Sequence, residues 1–349
     1  MNILQVCPKY YPSIGGVEEH VRNVCERLAR SHSVTVFTTD PSGRLPQQET
    51  INGVAVRRFK GFSPSDSYHL SLEMSRELKS AEFDIVHGHS YHALPLYFAR
   101  HAKRKRFVVT TYYHGHGSTS FRDFLIRLYK PMGRKALEEA DRVIALSNHE
   151  KRLLLQDFRI EPDRVIVIPS GIDLSEFENL NKEKGSEKTI LYVGRLEEYK
   201  GVQHIIRALP GLDSAVKLEI VGKGPFKPHL ESLAENLGLW DRVHFYQDLS
   251  RKELLDMYAS ASVFVLLSQY ESYSIAVAEA LAAGTPCIVA DTSALSEWID
   301  NRNCFGIDYP VDRDQLARLV NRAIGTRAGD VKLFDWDEVA TETARVYQL

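Results

Sequence analysis

The segment Val263–Leu281, with the sequence VFVLLSQYESYSIAVAEAL, combines two hydrophobic patterns in direct succession. Val263–Leu267 is a continuous apolar run of strand length, and the residues from Ser274 onward have helical character. A buried strand that leads into a helix is the repeating unit of a parallel sheet covered by helices. This segment therefore predicts an α/β fold.

The same succession of short apolar runs and longer helical patterns extends along the chain in both directions. The other predicted strands are Asn2–Cys7, Ser33–Thr39, Val54–Phe59, Asp84–His87, Phe107–Thr111, Arg142–Leu146, Arg164–Ile168, Thr189–Gly194, Lys217–Val221, Val243–Tyr246 and Cys287–Ala290. Helical spacing of apolar residues marks Val17–Arg30, Ser67–Ser80, His92–Ala102, Phe121–Glu139, Asn148–Asp157 and Phe226–Asn236. The pattern predicts two doubly wound, Rossmann-like domains, whose ligands collect beyond the carboxyl ends of the strands.

The chain length and the distribution of charge support a division into two domains. The 349 residues, 44% of them apolar and 26% charged, are too many for one ordinary core. A cut at Gly171 leaves 25 Lys and Arg against 18 Asp and Glu in residues 1–171, and 19 against 28 in the remainder. We expect the basic half to meet an anionic partner, such as a lipid surface or a phosphorylated acceptor. The last helix, Asp335–Tyr347, is expected to pack back, so the predicted domains are residues 1–171 with 334–349, and residues 172–333.

Other features of the chain bear on its location and partners. No early apolar run resembles a signal peptide and no later one approaches membrane-spanning length, so we expect a cytoplasmic protein. The four cysteines are scattered without C-x-x-C pairing, which argues against a disulfide scaffold and against a zinc site. Phe121–Lys130 is typical both of an interfacial helix at the inner face of the membrane and of a core-packed helix with solvated cations. We treat the basic run Arg100–Arg106 as solvated and expect no nucleic-acid partner.

Strand ends in the second half carry residues suited to a diphosphate and a sugar. Arg195 and Lys200 share one loop and can offer a guanidinium fork and a point charge, although a solvated loop could also hold two cations. Gly222 lies in another strand-to-helix turn. Glu271 and Glu279 are about two helical turns apart, so they cannot form a close general acid/base couple. We expect them to serve different parts of one long ligand, while the alternative is a helix with one buried and one exposed glutamate.

The first half carries a glycine pair and a group of histidines at its predicted strand ends. Gly15-Gly16 precedes a helix, where backbone amides could approach a phosphate, although such pairs are often only turns. The histidines in two neighbouring loops are His87, His89, His92, His114 and His116. No Asp or Glu lies among them at ligand spacing, so we predict no metal site. We interpret His114 as a hydrogen-bonding partner of sugar hydroxyls, and we expect His87 and His92 to satisfy loop carbonyls.

Several modest motifs occur in a specific order along nearly the whole chain. They are Tyr11–Glu18, Phe83–His89, His114–His116, Ala140–Ser147, Pro169–Asp173, Gly194–Leu196, Lys200–Gly201, the E-x7-E pair Glu271 and Glu279, and Ala283–Pro286. With these motifs the chain resembles a family 4 retaining glycosyltransferase of the GT-B fold. The resemblance implies two facing Rossmann-like domains, an interdomain cleft and a C-terminal helix that crosses back.

The resemblance also implies roles for individual residues. Arg195 and Lys200 would bind the donor diphosphate and stabilise the leaving group. Glu271 would contact the transferred sugar, Glu279 the ribose, and His114 would lie near the reacting sugar. The other candidates are Gly16, Gly194, Gly222, Ser272, Tyr273, Ser274 and Ile275 on the donor side, and Gly15, His89 and His116 on the acceptor side. The family generally works without a bound metal, so the resemblance implies no metal cofactor.

Two positions depart from the family pattern. Tyr246 stands where the family usually has glycine, near the loop expected to face the nucleobase. Ser274 replaces the glycine of the usual E-x-F-G start. We expect the diphosphate contact to survive this change, because serine still presents its backbone amide at a helix start.

The sequence therefore predicts retaining transfer of a sugar from a UDP-, GDP- or ADP-sugar to a lipid-linked, glycan or small-molecule acceptor. A sugar-nucleotide epimerase or a phosphorylase with the same two-domain layout is the main alternative. A NAD-dependent oxidoreductase would need G-x-G-x-x-G after its first strand, which Gly15-Gly16 does not supply. A binding module that has lost catalysis is a further alternative.

Overall fold

The computed structural model describes residues 1–63, 69–115, 120–178, 180 and 188–349, with residues 120–126 described by their backbone alone. The chain divides into two compact units. Unit 1 comprises Met1–Gly171 and Phe334–Leu349, and unit 2 comprises Ile172–Leu333. Each unit is an α/β structure built on its own sheet.

Unit 1 is built on a sheet that has eight strands within the described residues, in the order β3-β4-β2-β1-β5-β6-β7-β8. Neighbouring strands are parallel except for β3 and β4, which form an antiparallel hairpin at one edge. The strands are β1 (Asn2–Val6), β2 (Ser33–Asp40), β3 (Gln48–Ile51), β4 (Val54–Lys60), β5 (Glu82–His89), β6 (Lys103–Thr110), β7 (Arg142–Ala145) and β8 (Val165–Val167). The central strands are buried on both faces, as expected of a parallel sheet between helices.

Several helices of unit 1 begin where the sequence supplies a capping side chain. Ser71 and Ser147 accept hydrogen bonds from the backbone N–H groups of Met74 and Glu150, which satisfies donors of the first helical turn. The helices are α1 (Gly16–Leu28), α2 (Leu72–Ser80), α3 (Leu94–Ala99), α4 (Ser120–Glu139), α5 (Asn148–Asp157) and, after unit 2, α12 (Trp336–Val346).

Unit 2 repeats the architecture with strand order β11-β10-β9-β12-β13-β14, and all its strand pairs are parallel. Its strands are β9 (Lys188–Val193), β10 (Val216–Val221), β11 (Val243–Tyr246), β12 (Val263–Leu266), β13 (Cys287–Ala290) and β14 (Cys304–Ile307). Its helices are α6 (Ser175–Glu178), α7 (Val202–Ala208), α8 (Lys227–Asn236), α9 (Arg251–Ser260), α10 (Ile275–Ala282) and α11 (Arg313–Ala323). The predicted α/β fold with two Rossmann-like domains is confirmed.

The structure differs from the predicted elements at several places. The edge strands β3 and β14 were not predicted. The turn between β3 and β4 is Asn52-Gly53, and both residues have positive φ, as a two-residue hairpin requires. The strand predicted at Phe107–Thr111 begins earlier, because β6 starts at Lys103 and takes in part of the basic run Arg100–Arg106, which was expected to be solvated. Arg104 in that strand is half-buried, and its guanidinium donates to the Arg100 carbonyl at 2.6 Å.

The end of the chain completes unit 1, because α12 packs against α1. Arg27 in the last turn of α1 and Arg30 just beyond the helix both pair with Asp337, at 3.1 and 2.7 Å. The start of α12 lies so close to Gly171 that a Cβ atom at Gly171 would be 2.8 Å from the backbone nitrogen of Trp336. The helix can therefore reach this position only because residue 171 has no side chain.

A chain of buried hydrogen bonds joins α12 to the middle of the sheet. The Tyr347 hydroxyl accepts from Gln5 Nε2 at 2.9 Å and lies 2.8 Å from His87 Nδ1. The other nitrogen of His87 is 2.8 Å from the Thr110 hydroxyl, and His89 Nε2 is 2.7 Å from Gln5 Oε1. Gln5 and both histidines lie on adjacent strands and are no more than 1% exposed. Side-chain pairing thus satisfies these polar groups inside the core.

This arrangement corrects three expectations about histidines. His89 was assigned to the acceptor side, but it is fully buried within β5 and paired with Gln5. His87 bonds to the side chains of Tyr347 and Thr110 instead of satisfying a loop carbonyl. Neither ring nitrogen of His92 has a hydrogen-bond partner among the described residues, so that ring serves packing against Tyr91.

Removing the Tyr347 hydroxyl should destabilise the protein. Tyr347→Phe leaves Gln5 Nε2 and His87 Nδ1 buried without this partner, so we expect a loss of about 1–3 kcal/mol in the free energy of unfolding. Urea denaturation measures the loss. Tyr11→Phe is the matched control, because Tyr11 is 43% exposed and should unfold like the parent. Equal stability of the two variants would contradict the importance of the buried chain.

The buried histidines should make the protein sensitive to acid. Burial lowers the pKa of His20 to about 4 and that of His87 to about 3, and it also holds the pKa of His89 well below its usual range. The unfolded chain therefore binds protons first as the pH falls below about 6.5, so stability present above that pH is lost on acidification. For each histidine that stays neutral in the folded state, the loss at pH 5 is about 2 kcal/mol.

Denaturation at pH 7.5, 6 and 5 measures this effect. His87→Gln should flatten the dependence of the unfolding free energy on pH, because it removes one group that takes up a proton on unfolding. His229→Gln, at an exposed position of unit 2, serves as the control and should keep the parental slope. An unchanged slope in His87→Gln would show that His87 does not contribute.

Candidate functional site

The carboxyl ends of β9, β10 and β11 in unit 2 are held together by backbone hydrogen bonds. Gly194 N–H donates to the Val221 carbonyl and Gly222 N–H to the Tyr246 carbonyl, each at 3.0 Å. A Cβ atom at Gly222 would lie 1.9 Å from the Gly194 carbonyl oxygen. Only glycine at position 222 permits this approach, so these two predicted donor-side glycines serve the close packing of adjacent strand ends.

Lys200 and Glu271 form an ion pair at the carboxyl end of β9 and β12. Lys200 Nζ donates to Glu271 Oε1 at 2.6 Å, and the two side chains are only 13% and 15% exposed. Burial lowers the pKa of Lys200, but the Glu271 carboxylate and Tyr199 together outweigh this effect and keep the pKa above its usual value. The ammonium group is therefore permanently charged at neutral pH, and it is held in place before any ligand binds.

Arg195 extends from the same loop with a much more exposed side chain. The side chain is 69% exposed, and its guanidinium lies 3.6 Å from Glu197 and donates to the Tyr199 hydroxyl at 3.0 Å. Lys200 Nζ lies 5.3 Å from the centre of the Tyr199 ring, so this ring stands between the two predicted cations. Arg195 and Lys200 thus share one neighbourhood at the sheet edge. The role of Tyr199 was not identified from the sequence.

The segment that leads into α10 is fixed by hydrogen bonds from the loop after β13. Glu271 N–H donates to the Ser293 hydroxyl at 3.0 Å, and the Trp298 indole donates to the Tyr273 carbonyl at 2.9 Å. Ser274 precedes the first helical residue, Ile275, and has the left-handed φ of 87°. This conformation favours glycine, which explains physically why serine is unusual here and costs about 1–3 kcal/mol. Ser272, between these anchored residues, is half-buried.

Glu279 lies on α10 and belongs to a second group of charged residues. Arg251 Nη1 donates to Glu279 Oε1 at 2.6 Å, while Nη2 of the same guanidinium donates to Glu176 at 2.5 Å. The Glu279 side chain is 11% exposed, and burial raises its pKa although the adjacent Arg251 lowers it. The alternative of one buried and one exposed glutamate is therefore wrong, since both Glu271 and Glu279 are largely buried. Arg251 and Glu176 were not predicted to contribute.

The predicted site residues of unit 1 lie at different places in the fold. Gly15 caps α1 and Gly16 is its first residue, with open space where a Cβ atom at Gly16 would project. His114 is half-buried just beyond β6, and its ring centre is 5.1 Å from that of His92. His116 lies outside the described residues. Of the predicted acceptor-side residues, His89 is withdrawn into the sheet.

The unit 2 edge therefore offers two cations, two buried carboxylates and the amino end of α10. Cations and helix amides bind phosphate oxygens, and carboxylates accept hydrogen bonds from hydroxyl groups. Among the residues that the structure describes, no group of three His, Cys, Asp or Glu side chains is arranged to hold a metal ion. Within the same ranges, no helix has both the length and the apolar character needed to cross a bilayer.

Comparison with known proteins gives two adjoining family matches. The glycosyltransferase family 4 model matches residues 14–176, and the glycosyl transferases group 1 model matches residues 175–331. A protein of Methanocaldococcus jannaschii described as an uncharacterized glycosyltransferase is 30% identical, over 100% of this chain and 98% of its own length. The GDP-mannose:cellobiosyl-diphosphopolyprenol alpha-mannosyltransferase of Xanthomonas oryzae is also 30% identical, over 83% of this chain and 79% of its own.

The fold has a close counterpart among solved structures. HepE of Anabaena, crystallised with UDP-glucose, superposes with a TM-score of 0.78 over 100% of both chains at 16% sequence identity. At that identity the likeness concerns the fold alone. The full-length relative and the two adjoining family matches agree with it. The chain therefore belongs to glycosyltransferase family 4, and it is a hexosyltransferase-type enzyme of the GT-B fold.

Proposed function

We propose that this enzyme transfers a sugar, with retention of anomeric configuration, from a nucleotide-diphosphate sugar that unit 2 binds. The observation that carries the proposal is the buried Lys200–Glu271 pair, which places a fixed cation and a fixed carboxylate side by side near Arg195. A nearby cation stabilises a diphosphate that leaves a sugar, and a carboxylate can hold the sugar by accepting hydrogen bonds from its hydroxyls. Lys200 supplies the cation and Glu271 the carboxylate, and one hydrogen bond joins the two.

The donor diphosphate would bind between the cations and α10. Lys200 is prepositioned and contributes a point charge, whereas the exposed Arg195 can turn its guanidinium fork toward the phosphates. The backbone N–H groups at the start of α10 add dipolar attraction. Lys200 and the helix amides are in place before the reaction, so they stabilise the charge that develops on the leaving diphosphate without reorganising.

The two carboxylates would bind different ends of the donor. Glu271 accepts hydrogen bonds from hydroxyls of the transferred sugar, since its carboxylate is fixed beside the cation that holds the phosphate. Glu279 accepts from the ribose diol, and Arg251 orients its carboxylate for that contact. The separation of the two residues along the chain and their burial match a ligand with a sugar at one end and a nucleoside at the other.

In the proposed step, the bond between the anomeric carbon and the diphosphate oxygen breaks while a bond to the acceptor oxygen forms on the same face. The acceptor proton passes to the departing diphosphate, so atoms and charge balance without an additional base. Arg195 and Lys200 stabilise the negative charge left on the nucleoside diphosphate. We therefore propose that these cations perform the neutralisation for which other transferases use a metal ion.

The acceptor is proposed only by its chemical class. The Xanthomonas oryzae relative is named for GDP-mannose and a diphosphopolyprenol-linked acceptor. We propose a lipid-linked, glycan or small-molecule acceptor that binds to unit 1, near His114. Peripheral contact of the basic unit 1 with an anionic membrane surface and a cytoplasmic location belong to the same proposal.

The two carboxylates should affect donor binding differently. Glu271→Gln keeps a hydrogen-bond acceptor for Lys200, so its affinity for UDP, GDP or ADP should stay within about twofold, while the added stabilisation by the matching sugar nucleotide disappears. Glu279→Gln should weaken the nucleotide itself about tenfold, which corresponds to about 1.4 kcal/mol. Thermal shift titrations with the three nucleotides and their sugars measure both effects.

Glu235→Gln, at an exposed position on α8, is the matched control and should bind like the parent. Unchanged nucleotide affinity in Glu279→Gln would remove the ribose assignment. A loss of affinity for the bare nucleotide in Glu271→Gln would contradict the assignment of this carboxylate to the transferred sugar, because the bare nucleotide carries no such sugar.

The sugar should keep the anomeric configuration of the donor. Proton NMR of the product with an α-linked donor should show an α-linkage, because the entering oxygen and the leaving diphosphate share one face of the sugar. The experiment needs a donor identified by the thermal shift titrations. A β-linked product would mean attack from the opposite face and would reject the proposed step.

A further inference from the structure

The side chain of Glu150 lies outside the candidate site described above and is completely buried in unit 1. Glu150 is in the first turn of α5, whose amino end faces the carboxyl ends of β6 and β7. One carboxylate oxygen, Oε1, accepts from the Thr111 hydroxyl at 2.5 Å and from the backbone N–H of Tyr113. The other, Oε2, accepts from the backbone N–H of Leu146 at 2.7 Å. One side chain therefore ties together the ends of two neighbouring strands.

The backbone that Glu150 holds is conformationally unusual. Tyr112, between the two residues bound by Oε1, has the left-handed φ of 50°. A tyrosine in this region is strained by about 1–2 kcal/mol, so the turn needs contacts on both sides to persist. Thr111 supplies one contact and the Tyr113 N–H the other. The Glu150 carboxylate thus fixes the turn by which the chain leaves β6.

The same turn determines where His114 lies. The Tyr113 hydroxyl donates to Asp157 at the far end of α5, so Tyr113 is held at its backbone and at its ring. The Tyr113 ring packs at 5.8 Å from the ring of His92, which in turn lies 5.1 Å from that of His114. His114 follows Tyr113 directly in the chain. Its backbone and its ring neighbour therefore both depend on the position of Tyr113.

From these contacts we infer that Glu150 is a positioning residue, which sets the location of His114 through the Thr111–Tyr113 turn. The inference rests on the proposed function where it assigns His114 a part in transfer. The placement itself depends only on the geometry of unit 1. Burial raises the pKa of Glu150 to about 7 although hydrogen bonds from Thr111 and two backbone amides lower it. Burying an ionisable carboxyl group costs free energy. Its presence here is therefore better explained by the directed hydrogen bonds that it accepts than by packing alone.

The test follows the His114 ring by NMR in the full-length protein labelled at the histidine Cε1 position. His114→Asn assigns the His114 signal. Glu150→Gln places an amide N–H₂ group where the carboxylate accepts three hydrogen bonds, so we expect a clear shift or broadening of that signal. Glu161→Gln, an exposed glutamate just after α5, is the matched control and should leave the signal in place. An unmoved His114 signal in Glu150→Gln would overturn the inference.

A second readout separates positioning from general damage. Release of nucleoside diphosphate from GDP-mannose and from UDP-glucose in water gives a turnover rate and a KM without a known acceptor. In Glu150→Gln we expect the rate to fall about tenfold or more at unchanged KM, because a misplaced group slows the chemical step and not donor binding by unit 2. A raised KM at an unchanged rate would contradict this expectation.

The two readouts also distinguish failure of the inference from failure of the proposed function. If His114→Asn turns over at the parental rate while Glu150→Gln moves the His114 signal, the role of His114 is wrong and the positioning by Glu150 stands. If Glu150→Gln does not fold, Thr111→Val replaces it, because that change removes one donor and keeps the carboxylate. A His114 signal unaffected by Thr111→Val would then overturn the inference.

Discussion

Parallel strand pairing constrains this protein more than any other interaction. In a parallel sheet all strands run in one direction, so the loops after the strands converge on a single edge. In unit 2 this brings the loop of Arg195 and Lys200, which follows β9, next to that of Glu271, which follows β12. Lys200 and Glu271, 71 positions apart in sequence, thereby form one buried ion pair. The same rule gathers Gly15 and His114 at the corresponding edge of unit 1.

The charged groups of unit 2 are paired before any ligand arrives. Lys200 is bound to Glu271 and Arg251 is bound to Glu279, and of these four side chains Arg251 alone is substantially exposed. Removing one member of such a pair leaves a buried charge uncompensated, whereas a ligand that supplies both anionic and hydroxyl groups can satisfy both members at once. The proposed recognition of a phosphorylated sugar uses both members of each pair, because neither a simple anion nor a neutral sugar satisfies both charges.

The fold and the order of the site loops could be predicted from the sequence. Both depend on the periodicity of apolar residues along the chain and on the direction of the strands. It was less informative where side chains find distant partners. Nothing near Glu279 indicates Arg251, since that contact is set by how α9 and α10 pack. The left-handed backbone at Ser274 was not predicted either, although glycine, which the family usually has at this position, favours positive φ.

The burial of His87 and His89 and the presence of β3 both have signals in the sequence. His87 and His89 alternate on a strand, and a period of two places both rings on one face of a buried sheet, which argues against a loop position for either. The dipeptide Asn52-Gly53 is a strong hairpin signal that predicts the antiparallel strand β3. Glu150 carried no such signal. An N3 glutamate after Ser147 looks like an ordinary capping pair, and only the structure shows its carboxylate turned toward the strand ends.

The return of α12 to unit 1 has a consequence for how the polypeptide matures. Gly171 and α1 receive their packing partner only after the whole of unit 2 has been synthesised. During translation the N-terminal sheet therefore emerges from the ribosome while Gln5 and His87 still lack their partner Tyr347. Unit 2, in contrast, is contiguous in sequence and can fold as soon as it is made. The first half of the chain to be synthesised is therefore the last to be completed.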